Sequence, residues 1–203
     1  MRAGRCVFSA ILVFLPLALV GCGGSSGNQP IISNNPTPSP TGTITEFPLN
    51  SGIHPRKIMK GPDGNMWSMG IGPDIGEVAR ITPDGTVTRM TILGLTDITF
   101  GPDGNLWYVT SAASTCCLNQ MTIAGMTQSF PEPSAGFQIA VGPDNNLWVT
   151  GNVGTAFEFD VYSTAGTFLH SFAISPSPDN GTMTNGPDGN LWFVSNNALR
   201  WQR

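Results

Sequence analysis

The feature that most narrows the possible folds is a seven-residue phrase that recurs four times. It reads Gly61-Pro-Asp-Gly-Asn-Met-Trp67, Gly101-Pro-Asp-Gly-Asn-Leu-Trp107, Gly142-Pro-Asp-Asn-Asn-Leu-Trp148 and Gly186-Pro-Asp-Gly-Asn-Leu-Trp192, with starts 40, 41 and 44 residues apart. A four-stranded propeller blade consumes about 40–45 residues, whereas a leucine-rich coil is shorter and a helical solenoid needs a periodicity this chain lacks. In each phrase Pro presets φ for a tight turn and the glycine after Asp accepts the positive φ that closes it.

Strands are readable on both sides of each turn. In the second repeat they run over residues 95–100, 105–110, 118–123 and 126–130, and the first and third repeat the succession. Continuous apolar runs such as Leu106-Trp107-Tyr108-Val109 suit strands covered on both faces. The repeated tryptophans therefore read as packing between blades rather than as a sugar-binding platform. The predicted fold is all-β, a β-propeller of four four-stranded blades. An extra strand at residues 43–49 enters before the first blade, and the last repeat reaches Trp201–Arg203 without a fourth strand, so the entering strand is expected to complete the last blade. The rival expectation is a truncated arc of a six- or seven-bladed propeller.

Ahead of the repeats, Arg2 and Arg5 precede an apolar run from Val7 to Val20 and then Gly21-Cys22. That is the build of a secretory leader, too short to span a bilayer comfortably. The stop resembles the lipobox of bacterial lipoproteins, which implies a signal peptide over residues 1–21 and acylation of Cys22. Residues 22–42 are rich in Gly, Ser, Asn and Pro and read as a tether, leaving residues 43–203 for the propeller. The expected location is the cell envelope, lipid-anchored and extracytoplasmic, with the membrane as one partner.

Loss of Arg2 and Arg5 with the leader takes nine basic residues to seven against 13 acidic ones, a net of −6. Nucleic acid is excluded as a partner by that balance. Cys116 and Cys117 are adjacent, so a bridge between them would be strained, and no nearby ligands suggest a metal or redox role. The turn residues Asp63, Asp103, Asp144 and Asp188 are spread around the repeats one at a time, which suits capping of the turn backbone better than calcium, whose six to eight oxygens must gather in one place.

The phrase Ile44-Thr-Glu-Phe-Pro-Leu49, then Pro55, the first Trp phrase and Ile81-Thr-Pro-Asp-Gly85, resembles the repeat of the streptogramin B lyase (virginiamycin B lyase) family. The resemblance runs from Thr43 to Trp201. It implies a propeller, seven-bladed in that family, and an activity that opens a cyclic depsipeptide ester by elimination with Mg²⁺, histidine and glutamate. Many blades of the family continue the tryptophan phrase to a glutamate at the channel mouth; this chain has Gly70, Thr110, Gly151 and Ser195 there.

Two histidines remain, His54 in a loop entering the first blade and His170 in an outer strand, and neither has an acidic neighbour at a spacing typical of a catalytic pair. No catalytic residue, metal site or resident cofactor is expected; Mg²⁺ enters only if the chain is a lyase. The expected function is a non-enzymatic envelope module that binds a small molecule, glycan or envelope protein; the alternative is a streptogramin B lyase-like carbon–oxygen lyase. The expected binding surface is a mouth formed by the loops around His54, Arg56, Asp74, Glu77, Asp97 and Asn152, with Arg56 and Lys57 as a small cationic rim able to hold a carboxylate or phosphate.

Overall fold

A computed structural model describes residues 42, 45–47, 52–73, 75–111, 118–131, 136–153, 156–174, 182–195 and 198–202. The leader, Cys22, nearly all of the tether, and the pair Cys116–Cys117 lie outside the described residues. No helix among the described residues is long and apolar enough to cross a membrane. Residues 45–203 form one compact unit.

That unit is all-β, four antiparallel sheets arranged as a four-blade β-propeller. The first sheet orders β1 (His54–Lys60), β2 (Met66–Ile71), β3 (Ile75–Ile81) and β4 (Val87–Leu93). The second holds β5 (Leu95–Phe100), β6 (Leu106–Thr110), β7 (Leu118–Met121) and β8 (Thr127–Phe130). The third holds β9 (Gln138–Val141), β10 (Leu147–Val153), β11 (Ala156–Tyr162) and β12 (Phe168–Ile174). The last has three strands among the described residues, β13 (Met183–Asn185), β14 (Leu191–Ser195) and β15 (Ala198–Gln202). Each sheet is a meander of consecutive strands, which is what short turns permit.

The repeated phrase builds the β1–β2 type of turn the same way each time. The Asp63 carboxylate accepts hydrogen bonds from the Asn65 backbone N–H (3.2 Å), the Asn65 side-chain amide (2.7 Å) and the Trp67 indole N–H (3.1 Å). Asp103, Asp144 and Asp188 repeat the pattern with their own Asn and Trp. One carboxylate therefore closes a turn and fixes the orientation of the tryptophan four residues on. The leading glycine is required for room, since a Cβ at Gly61 would sit 2.6 Å from the Trp67 ring. The third repeat has Asn145 where the others have glycine, and it adopts φ 61°, one of the few non-glycine residues tolerant of that region.

Burial in the turn between β1 and β2 pushes the Asp63 carboxyl up, but hydrogen bonds from Asn65 and Trp67 and the charge of Arg80 outweigh it and hold the group below the usual carboxylate range. Asp144 behaves alike, burial being overcome by Asn146 and Trp148. At Asp188 the hydrogen bonds from Trp192 and Asn190 lead, again lowering it.

Among the described residues, three apolar cores lie between neighbouring sheets. Trp67, Met69 and Val78 of the first sheet pack on Leu95, Ile98 and Leu106 of the second. Trp107, Val109 and Leu118 pack on Ile139, Leu147 and Val149 of the third. Trp148, Phe159 and Val161 pack on Leu191 and Phe193 of the last. Trp67, Trp107 and Trp148 are buried as the sequence implies, while Trp192 is only half-buried.

The expected strand at residues 43–49 is described only in part. Residues 43, 44, 48 and 49 lie outside the described residues, and 45–47 join no ladder. The Phe47 ring lies against Gly85 of the first sheet and lines a cavity with Pro55, Ile58 and Ile81.

Candidate functional site

The inner strands β1, β5 and β9, with Thr182 just ahead of β13, surround a cavity of about 400 Å³ on the propeller axis. Arg56, Lys57, Thr96, Asp97, Phe137, Gln138 and Thr182 line it, with Met69 and Ile71 from β2. The volume lies within the range of small-molecule sites. The repeat explains the lining. Lys57, Asp97, Gln138 and Thr182 each stand four residues before the motif glycine, so one repeat position from every blade faces the axis.

Those four differ in chemistry, and two of them neutralise each other. Lys57 Nζ lies 2.9 Å from Asp97 Oδ1 and also donates to the Ile98 carbonyl at 2.6 Å. The Asp97 carboxylate further accepts from the Ile98 N–H (2.8 Å) and, on its other oxygen, from the Ile139 N–H (3.0 Å). Asp97 thus ties three successive inner strands together. Thr96 adds a second tie, its hydroxyl donating to the Val109 carbonyl and lying 3.0 Å from the Gly136 carbonyl. Arg56 is the cavity's other charged side chain; it is exposed and makes no ion pair among the described residues.

Of the mouth residues expected from the sequence, the structure brings Arg56 and Asp97 together. His54 opens β1, is exposed, and is not among the cavity-lining residues. Asn152 lies in β10 opposite Phe157, also away from the lining. Asp74 falls outside the described residues. Glu77 is not displayed on a long connection, because β2 continues to Ile71 and β3 already starts at Ile75; its side chain is buried within β3, 3.7 Å from Arg89. His170 lies on the outer strand β12, exposed against Phe172 at 4.8 Å.

Sequence reasoning missed Gln138, Thr182, Thr96 and Phe137. The signal was available, since counting back from each motif glycine to the axial position finds the first two. Nothing in their residue types drew attention to them.

The described donor set does not fit Mg²⁺. A hard cation of that kind needs several oxygen ligands gathered in one place, and among the described lining residues there is one carboxylate, already engaged by Lys57 and two backbone N–H groups. No cluster of three or more His, Cys, Asp or Glu suited to a metal occurs among the described residues. Gly70, Thr110 and Gly151, at the ends of β2 and β6 and within β10, bring no carboxylate to the mouth.

The family model described as the virginiamycin B lyase family matches residues 43–203. No curated protein matches the sequence. Among solved structures, the chain is similar to a virginiamycin B lyase from Staphylococcus aureus, catalytically inactive and determined with quinupristin. Identity there is 25%, over 76% of this chain and 54% of that one, with a TM-score of 0.61. A streptogramin B lyase structure gives 24% identity, 80% and 59% coverage and a TM-score of 0.60. A gluconolactonase from Xanthomonas campestris shares the fold at 16% identity, with 71% and 55% coverage and a TM-score of 0.55. The chain spans little more than half the length of each.

Proposed function

Because the chain belongs to the virginiamycin B lyase family, and because Gly70, Thr110, Gly151 and Ser195 stand where the family resemblance implies acids, we propose that it is an exported, lipid-anchored, non-catalytic propeller. In this reading it holds a small anionic ligand in the axial cavity without turning it over. Cys22 carries the lipid, and the tether holds the propeller away from the membrane surface.

One observation carries the reading: Asp97, the cavity's carboxylate, is consumed in holding strands together, while Arg56 beside it has no counter-charge among the described residues. Elimination beside a carbonyl needs a base to take the proton and a cation or donor to hold the developing charge. The Asp97 oxygens already accept from the Lys57 ammonium and two backbone N–H groups, so the carboxylate is placed to hold strands together rather than to reach a substrate proton. A guanidinium among a cavity's lining residues is suited to a carboxylate or phosphate on the ligand. Phe137, Met69 and Ile71 supply apolar walls.

The lyase reading and this one separate in a single assay. The chain is incubated with a streptogramin B antibiotic and Mg²⁺, and the antibiotic is followed by chromatographic retention and fragmentation, because ring opening by elimination leaves the intact mass unchanged. An unaltered cyclic species is expected; a linear isomer with a new carbon–carbon double bond, formed by the purified chain, would establish catalysis. Once a carboxylate or phosphate ligand is found by a thermal-shift screen, Arg56→Gln is expected to weaken it about tenfold, the value of one charge-assisted hydrogen bond.

A further inference from the structure

Four sheets have three packed seams among the described residues, and the repeat reveals what the two outer faces lack. The positions three residues before and five after the motif glycine point toward the preceding sheet. In the second and third sheets they are Ile98 and Leu106, then Ile139 and Leu147, all at most 1% exposed. In the first sheet the same positions are Ile58, 64% exposed, and Met66, 38% exposed. At the other end, β15 turns Leu199 and Trp201 outward on the face of Trp192, 73% and 54% exposed. Each outer face is one half of a blade–blade seam, and the two halves are of opposite kind.

The aromatic pairing is incomplete in the same way. Phe130 of the second sheet stacks on Trp107 of its own sheet at 5.3 Å and abuts Gly166, in the third sheet's last turn. Phe172 stacks on Trp148 at 5.5 Å. Phe47 abuts Gly85, the corresponding glycine of the first sheet, and so sits where a preceding blade would place its phenylalanine. Yet no ring stacks on Phe47 or on Trp192 among the described residues. Sizes are complementary too. Ser68 replaces the Tyr108, Val149 and Phe193 of the other sheets and leaves a cavity of about 420 Å³ beside Ile58, while the bulky Trp201 stands where Arg80, Gln120 and Val161 stand elsewhere.

We propose that the occupant is a second copy of this chain, the last sheet of each copy packing on the first sheet of the other so that Trp192 of one meets Phe47 of its mate. A head-to-tail contact either closes or runs on as a filament. Here four blades and four blades make an eight-bladed ring, within the range propellers adopt. Exposed aliphatic and indole surface of this extent on matched faces is what such a seam buries.

Sedimentation of the full chain at micromolar concentration tests this. The expected species has twice the 21.4 kDa chain mass. Ile58→Glu and Leu199→Glu, both at exposed positions, should each run at the single-chain mass with an unchanged circular-dichroism spectrum. Mixing the two variants should restore the two-copy species, because one of its seams joins two unaltered faces. A wild-type chain at single mass overturns the proposal, as does a ladder of larger masses. Disruption by only one of the two substitutions also overturns it, since that would mean like faces meet.

Discussion

The interior seams and the two outer faces of this propeller are built from the same repeat positions, yet they have opposite relations to solvent. Ile98 and Ile139 are sealed between sheets, while Ile58 stands in water; Trp107 is fully covered by the next sheet, while Trp192 is half open. The repeat thus fixes which side chains face a neighbour, but only a neighbour turns that position into core. The apolar run that makes a strand suitable for burial on both faces is a capacity, and the first and last sheets each use half of it.

The difference can be pressed from several sides. Trp107→Ala removes a fully buried indole stacked on Phe130 and should cost about 3–5 kcal/mol in urea unfolding. The same change at Trp192 should cost about 1 kcal/mol. Equal costs would mean that the last sheet is as tightly covered as the interior ones.

Next in size is the leading glycine. A Cβ at Gly101 meets the Trp107 ring at 2.7 Å, so Gly101→Ala should lose about 1–3 kcal/mol by overpacking against an indole that cannot move. Gly186→Ala meets Trp192 in the same way, but that ring has solvent to move into, and the thermal midpoint should fall less.

The smallest effect is acid sensitivity. Asp63 and Asp144 have folded-state values below those of the unfolded chain, about 3.9 for aspartate. The stability they contribute is present above about pH 4 and is lost as the pH falls through the folded-state values. Asp63→Asn should therefore flatten the decline of the melting temperature below about pH 4; an unaltered decline would show that the turn carboxylates are not its source.

Much of the fold was legible from the chain because the repeated phrase carries its own mechanism: proline and glycine set the turn, aspartate caps it and orients the indole. The strands, the blade count and the interior place of three tryptophans all follow from that. The axial site was legible only in part. Arg56 and Asp97 stood out as charged residues, but Gln138 and Thr182 reach the axis through their register, which depends on side-chain alternation along β9 and the approach to β13 rather than on residue type. Glu77 misled because an acid near glycines reads as loop, whereas β3 already begins at Ile75 and carries Glu77 into the sheet. That Asp97 would serve as a strand tie could not be read at all, since its partners Lys57 and Ile139 N–H lie 40 and 42 residues away in the chain.

The contrast between seam and face is tested most directly by one matched pair, Ile58→Ala and Ile98→Ala, unfolded by urea at a dilution where the chain is a single copy. The two isoleucines occupy the same repeat position. Ile98→Ala is expected to lose about 2–5 kcal/mol and Ile58→Ala less than about 0.5 kcal/mol, the range of exposed sites. Equal losses would contradict the account, because they would mean that the first sheet's outer face is buried within the single chain.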